Sequence, residues 1–117
     1  SRVVLKFPAV LAPVKACVMP LVKKDGLPEK AREIMNLLKF DFKCSYDEKD
    51  SIGKRYRRQD AVGTPFCITV DHQTLEDGCV TIRHRDTMQQ QRVKIEELHS
   101  IIDEQVNMKN LFKKIVE

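Results

Sequence analysis

Strand-length apolar runs alternate with helix-length stretches through the first part of this chain, and that alternation restricts its fold more than any other feature. Val14 to Leu21, VKACVMPL, is almost continuously apolar, which suits a strand covered on both faces, as in an α/β sheet. Lys23-Lys24-Asp25-Gly26 is a polar turn. Pro28 is placed as a first helical residue. Ala31, Ile34, Met35 and Leu38 then follow the i, i+3, i+4, i+7 spacing of one buried stripe, in a helix predicted to end near Lys39. Phe40 to Tyr46 is predicted to carry a second strand and Asp47 to Asp50 an acidic loop. Ser51 reads as the N-cap of a second helix, which Gly63 and Pro65 stop before a short buried strand ending at Val70. The order strand, helix, strand, helix, strand predicts a layered α/β domain with parallel strands.

Asp71 to Gly78 reads as a loop with a turn at Asp77-Gly78. In Cys79 to His84 the side chains alternate, Val80 and Ile82 facing one way and Thr81 and Arg83 the other, so Arg83 projects from the face or edge opposite the apolar pair. Gln91 to Lys94 adds a short final strand, and Ile95, Leu98, Ile101 and Ile102 mark a closing helix. The length of 117 residues allows one domain with a real core. We expect an extended lead-in over residues 1–13, where Phe7-Pro8 and Ala12-Pro13 oppose helix, then the domain over residues 14–106. Residues 107–117 form a tail in which Met108, Leu111, Phe112 and Ile115 repeat helical spacing. That tail either docks on the domain or is an extension whose partner lies elsewhere. The opening Ser1-Arg2-Val3, without a Met start or a signal peptide, suggests a piece cut from a longer protein. No run approaches the roughly 18 apolar residues of a membrane span.

Catalytic and metal-binding patterns are missing from the sequence. There is no P-loop, no G-x-G-x-x-G and no G-x-S-x-G, and no Cys or Ser has a His and an acid at a spacing that suggests nucleophilic catalysis. Cys17, Cys44, Cys67 and Cys79 are far apart and each falls in or beside a strand, as small buried thiols do in a reduced cytosolic protein. His72, His84 and His99 add no ligand spacing.

Binding signals are stronger. Lys54, Arg55, Arg57 and Arg58 fall within one short helical stretch with Tyr56 between them, in a chain of net charge +4. At about 100° per residue, Lys54, Arg57 and Arg58 spread over one arc with Arg55 at its border, while Ile52 and Tyr56 lie on the inward side. Such a face is either a phosphate footprint or simply a solvated surface. Arg83 and Arg85 project from a different element, so the two could frame a cleft in which arginines read unstacked bases of single-stranded nucleic acid. Tyr56 either packs in the core or stacks on a base, and Asp86 either pairs with a neighbouring Arg or reads a base. His84 and His99 are expected at the surface.

The runs L-A-P-V-K from Leu11, V-M-P-L from Val18, S-I-G-K-R-Y-R-R-Q-D from Ser51, G-T-P-F-C-I-T-V-D from Gly63 and V-T-I-R-H-R-D-T-M from Val80 together resemble a known family. It is the C-terminal anticodon-binding domain of class II aminoacyl-tRNA synthetases, and most nearly that of the homodimeric glycyl-tRNA synthetases. The resemblance covers the chain from about Val4 to Ile102. It implies a three-layer α/β fold, with a mixed sheet of about five strands flanked by about three helices. It further implies that the chain recognises the anticodon of glycine tRNA, while an upstream catalytic domain, to which residues 1–13 would lead, activates glycine with ATP and Mg. The fragment itself would then need no cofactor and perform no catalysis. The parent ligase would be a cytoplasmic homodimer and the fragment a monomer.

By motif position the resemblance assigns base contacts to Arg57 and Arg83, with Arg85 beside them and Asp71 in the loop after the third strand. His84 departs from the family, which more often has an acid there. Phosphate contacts fall to Lys54, Arg55 and Arg58, which would position the anticodon loop while the base contacts read it. One rival is a domain of this kind serving as a protein-interaction or polymerase-accessory module. Another is a small free-standing α/β enzyme, for which the sequence offers no nucleophile or acid–base pair.

Overall fold

A computed structural model describes residues 14–105. The expected lead-in and C-terminal tail lie outside the described residues. Within them, β1 (Ala16–Pro20), α1 (Leu27–Leu38), β2 (Cys44–Tyr46), α2 (Ile52–Val62) and β3 (Phe66–Val70) form the alternating first part. A short helix α3 (Thr74–Asp77), then β4 (Cys79–His84) and β5 (Gln90–Lys94), follow. A 3-10 turn at Ile95–Glu97 leads into α4, helical over residues 98–105.

The strands make one five-stranded sheet in the order β2-β1-β3-β4-β5. β1 pairs in parallel with β2 and with β3, aligning Cys17 with Ser45 and with Cys67. β3 and β4 are antiparallel, with Cys67 opposite Arg83, and β4 and β5 are antiparallel with Ile82 opposite Gln91. The expected parallel arrangement therefore holds for the first three strands, and the sheet as a whole is mixed. The crossover from β1 to β2 runs to one side of β1 and that from β2 to β3 runs to the other, so right-handed connections place α1 and α2 on opposite faces.

Two apolar layers result. On one face Val18, Ile68 and Ile82 pack against Ala31, Ile34 and Leu38 of α1 and against Leu98 and Ile102 of α4. On the other, Cys17, Met19 and Cys67 meet Ile52 and Tyr56 of α2. Every residue of β1 and β3 is buried, as the continuous apolar runs require. Fully burying one such side chain contributes about 1.5–3 kcal/mol. Gly26, with φ of 79°, supplies the left-handed entry to α1, and Pro28 follows in its first turn.

Two local expectations are corrected. Strand β2 spans only Cys44–Tyr46, because the Asp41 and Phe42 backbone N–H groups donate to the Leu38 carbonyl at 3.1 and 3.0 Å and continue the helix end as a turn. Phe42 reaches the core while Phe40 is left 84% exposed. The segment after β3 is not wholly loop: the Thr74 backbone N–H donates to Asp71 Oδ1 at 3.0 Å, and one helical turn, α3, follows.

Candidate nucleic-acid interface

Helix α2 presents the candidate basic face. Ser51 caps it, its Oγ accepting from the Lys54 backbone N–H at 3.4 Å, and Gly63 closes it in the left-handed conformation with φ of 85°. Ile52 and Tyr56 turn inward against the sheet. The Tyr56 hydroxyl lies 2.8 Å from Thr69 Oγ1, so Tyr56 takes the core-packing role left open above.

The basic cluster divides into different environments. Lys54 and Arg57 are exposed, and neither side chain has a hydrogen bond or ion pair among the described residues. Arg58, 39% exposed, bridges Asp47 Oδ2 and Asp50 Oδ2, each at 2.6 Å. Arg55 departs from expectation and is buried. Its Nε donates to the Lys49 and Asp50 carbonyls at 3.1 and 3.2 Å, its Nη2 to the Asp50 carbonyl at 3.1 Å, and its Nη1 to the Pro20 carbonyl. At the border of the basic arc, Arg55 points to the end of β1, where carbonyls without ladder partners need donors. It ties the sheet to the loop entering α2 and offers nothing to a phosphate.

Asp47 anchors the other end of that loop. Burial pushes its carboxyl upward. The Lys49 N–H at 3.1 Å, the Arg58 guanidinium and Gln59 Nε2 at 3.4 Å outweigh burial, and hold it below the ordinary carboxylate range. The same contact with Asp47, with Asp50 adding to it, raises the Arg58 guanidinium further.

Strand β4 brings the second arginine group to the last turn of α2. Arg83 stands on the face away from Val80 and Ile82, as the alternation predicts, but it is buried there. Its Nη1 and Nη2 donate to Asp60 Oδ1 and Oδ2 at 2.8 and 3.0 Å, and its guanidinium lies 4.8 Å from the Tyr56 ring centre. The bond to Asp60 raises its pKa despite burial. Arg83, expected to contact a base, is here engaged by Asp60. Arg85 lies nearer the surface. Its Nε donates to the Asp60 carbonyl at 3.1 Å, and its Nη1 is 3.7 Å from Asp86 Oδ1, which favours the ion-pair reading of Asp86.

Asp71, also expected to contact a base, is engaged within the chain. Its carboxylate accepts from the Thr74 backbone N–H and hydroxyl and from Arg92, with Nη1 to Oδ2 at 3.0 Å and Nη2 to Oδ1 at 3.3 Å. Burial raises the carboxyl, but Arg92 and Thr74 together bring it below its usual range. His84 is half-buried with its ring edge-on to Phe66 at 5.2 Å, so it is not a free surface residue. His99 is exposed beside Asp41 at 2.8 Å.

The structure thus gathers Lys54, Arg57, Arg58 and Arg85 as accessible cations along or beside α2, with Arg55 and Arg83 beneath as fastenings. Asp60 and Asp47 are the residues that sequence reasoning missed. The available signal was that an arginine on a covered strand face requires a carboxylate partner.

A family model described as an anticodon binding domain matches residues 15–105. The glycine–tRNA ligase of Clostridium perfringens is 60% identical over 102 residues, which are 87% of this chain and 21% of that protein. The glycine–tRNA ligase of Alkaliphilus metalliredigens is 55% identical over 106 residues, 91% of this chain and 22% of that protein. That of Borrelia hermsii is 51% identical over 102 residues, 87% of this chain and 23% of that protein. The chain therefore spans less than a quarter of the length of these curated relatives.

Proposed function

Since the chain belongs to the anticodon-binding domain family, we propose that it binds the anticodon loop of glycine tRNA for a glycine–tRNA ligase. The observation that carries this reading is that Lys54 and Arg57 on α2 are exposed and have no side-chain partner among the described residues, with Arg58 and Arg85 accessible beside them. Lys54 and Arg58 serve as phosphate contacts that set the register of the loop, and Arg57 and Arg85 are the forked donors placed to reach base edges. The high identity to proteins named glycine–tRNA ligase supports glycine tRNA as the partner.

The chemistry of such a ligase belongs to the rest of its length. ATP with Mg, glycine, and a homodimeric cytoplasmic assembly are assigned to that longer protein, in which this domain selects the tRNA for the catalytic domain.

Binding of the chain to glycine tRNA and to a copy with a replaced anticodon, across a salt series, tests the reading. Preference for the native anticodon that persists as salt rises is the expected result. Equal and salt-labile binding to both would reduce α2 to a generic basic surface, and a protein-interaction role would replace this one.

A further inference from the structure

Asp60, in the last turn of α2, is held from beneath and remains accessible from above. Its side chain is 29% exposed, whereas that of Arg83 under it is 7% exposed. The two bonds from Arg83 fix the plane of the carboxylate, and each oxygen keeps further acceptor capacity. Arg85 is fastened to the same turn through its Nε, and its Nη2 has no hydrogen bond among the described residues. Met88, 65% exposed, joins Asp60, Arg85 and Asp86 in lining a shallow hollow of about 290 Å³. A fixed acceptor, a guanidinium donor that also faces Asp86 at 3.7 Å, and an apolar thioether thus share one hollow with room for a single base.

The donor and acceptor select a base whose edge sets an amine beside a ring acceptor, a pattern that cytosine and adenine share and uracil lacks. Cytosine presents an exocyclic N4 amine that donates beside an N3 that accepts, which complements a carboxylate next to an arginine. Uracil presents O4 where cytosine has the amine, and an oxygen facing a carboxylate is repelled. The glycine codons all begin with a pair of guanines, so their anticodons carry two cytosines.

On these grounds, and resting on the anticodon reading above, we propose that Asp60 is a specificity-determining residue that accepts a hydrogen bond from the N4 amine of one anticodon cytosine. Arg83 is its positioning residue and Arg85 the neighbouring donor.

The test replaces each anticodon cytosine of glycine tRNA singly with 2-pyrimidinone, which lacks the amine but keeps N3 and O2. Affinity is measured for the unaltered chain, for Asp60→Ala and for Asp60→Glu, with folding checked by circular dichroism melts. The unaltered chain should lose about 5- to 150-fold at one of the two positions. That ratio should fall close to one in Asp60→Ala while the other position is unaffected. Should Asp60→Ala fail to fold, Asp60→Glu decides, because it keeps a charge for Arg83 but displaces the oxygens and should shrink the ratio. An unaltered chain indifferent to the amine at both positions would overturn the proposal. A variant that folds and keeps the full ratio would do so too. Failure of the anticodon reading itself is recognised separately, as equal binding of the unaltered chain to a tRNA with an unrelated anticodon.

Discussion

Arg83 and Asp60 join strand β4 to the end of helix α2 through two parallel bonds, Nη1 to Oδ1 at 2.8 Å and Nη2 to Oδ2 at 3.0 Å. The pair is asymmetric. Arg83 lies inside, under the Tyr56 ring, while Asp60 keeps contact with solvent. A guanidinium cannot discharge by losing its proton, so it needs the carboxylate more than the carboxylate needs it.

The asymmetry predicts unequal costs for removing either partner. Asp60→Ala strands a buried cation and should destabilise by about 3 kcal/mol. Arg83→Met keeps most of the packing beside Tyr56 and leaves a carboxylate that water can reach, so its cost should be nearer 1 kcal/mol. Urea unfolding of both variants measures the difference. Equal midpoints would mean that Arg83 is solvated in spite of its burial.

Adjacent residues on α2 should separate binding from stability. Arg55→Ala removes the donors from the carbonyls of Lys49, Asp50 and Pro20 and should cost about 2–3 kcal/mol. Lys54→Ala should change stability by less than about 0.5 kcal/mol. For tRNA the order reverses: Lys54→Ala should weaken binding to all tRNAs alike and lower the salt slope by about one. The folded fraction of Arg55→Ala should bind as the unaltered chain does. Paired unfolding and salt-titrated binding experiments check both, and a salt slope unchanged in Lys54→Ala would remove Lys54 from the interface.

The contrast between Arg55 and Lys54 also marks how far the sequence could be read. The stripe Ala31, Ile34, Leu38 and the alternation of Val80 and Ile82 were legible because both are local periodicities of the chain. The order of elements followed from them. Arg55 was not legible, because the arc of a helix tells which way a residue points but not that the end of β1 leaves a carbonyl there. The Arg83–Asp60 pairing spans distant parts of the chain and depends on β4 lying next to β3, which periodicity does not dictate. Strand β2 was overestimated because Phe40 and Phe42 look alike in sequence, yet a turn after α1 sends one outward and the other into the core.

Thiol reactivity should follow the layer each cysteine occupies. Burial pushes the Cys17 thiol up to about 11 and the Cys67 thiol up to about 12, and both lie under α2. The thiolate is the reacting form, so at pH 8 a maleimide reagent should leave both intact in the native chain. Cys79, half-buried at the start of β4, should be labelled first. Mass spectrometry of peptides after timed labelling gives the order. Early modification of Cys17 or Cys67 would mean that α2 opens readily from the sheet.

Acid should loosen the entry to α2 before it affects the apolar layers. The Asp47 carboxyl is held below its ordinary value in the folded chain, where the Lys49 N–H and Arg58 favour its charged form over the penalty of burial. A depressed folded pKa means that the unfolded chain binds more protons in that range, so stability rises with pH there. The contribution is complete above the unfolded value of about 4 and disappears as pH falls through the lower folded value. Asp71, held down by Arg92 and Thr74 against its own burial, acts in the same direction at α3. Urea midpoints should therefore be level near neutrality and fall below about pH 4. Asp47→Asn should start lower and fall less steeply, since the variant has no proton to take up at that position. An acid limb of the same slope in Asp47→Asn would place the titrating groups elsewhere and leave the Asp47–Arg58 contact without a role in acid stability.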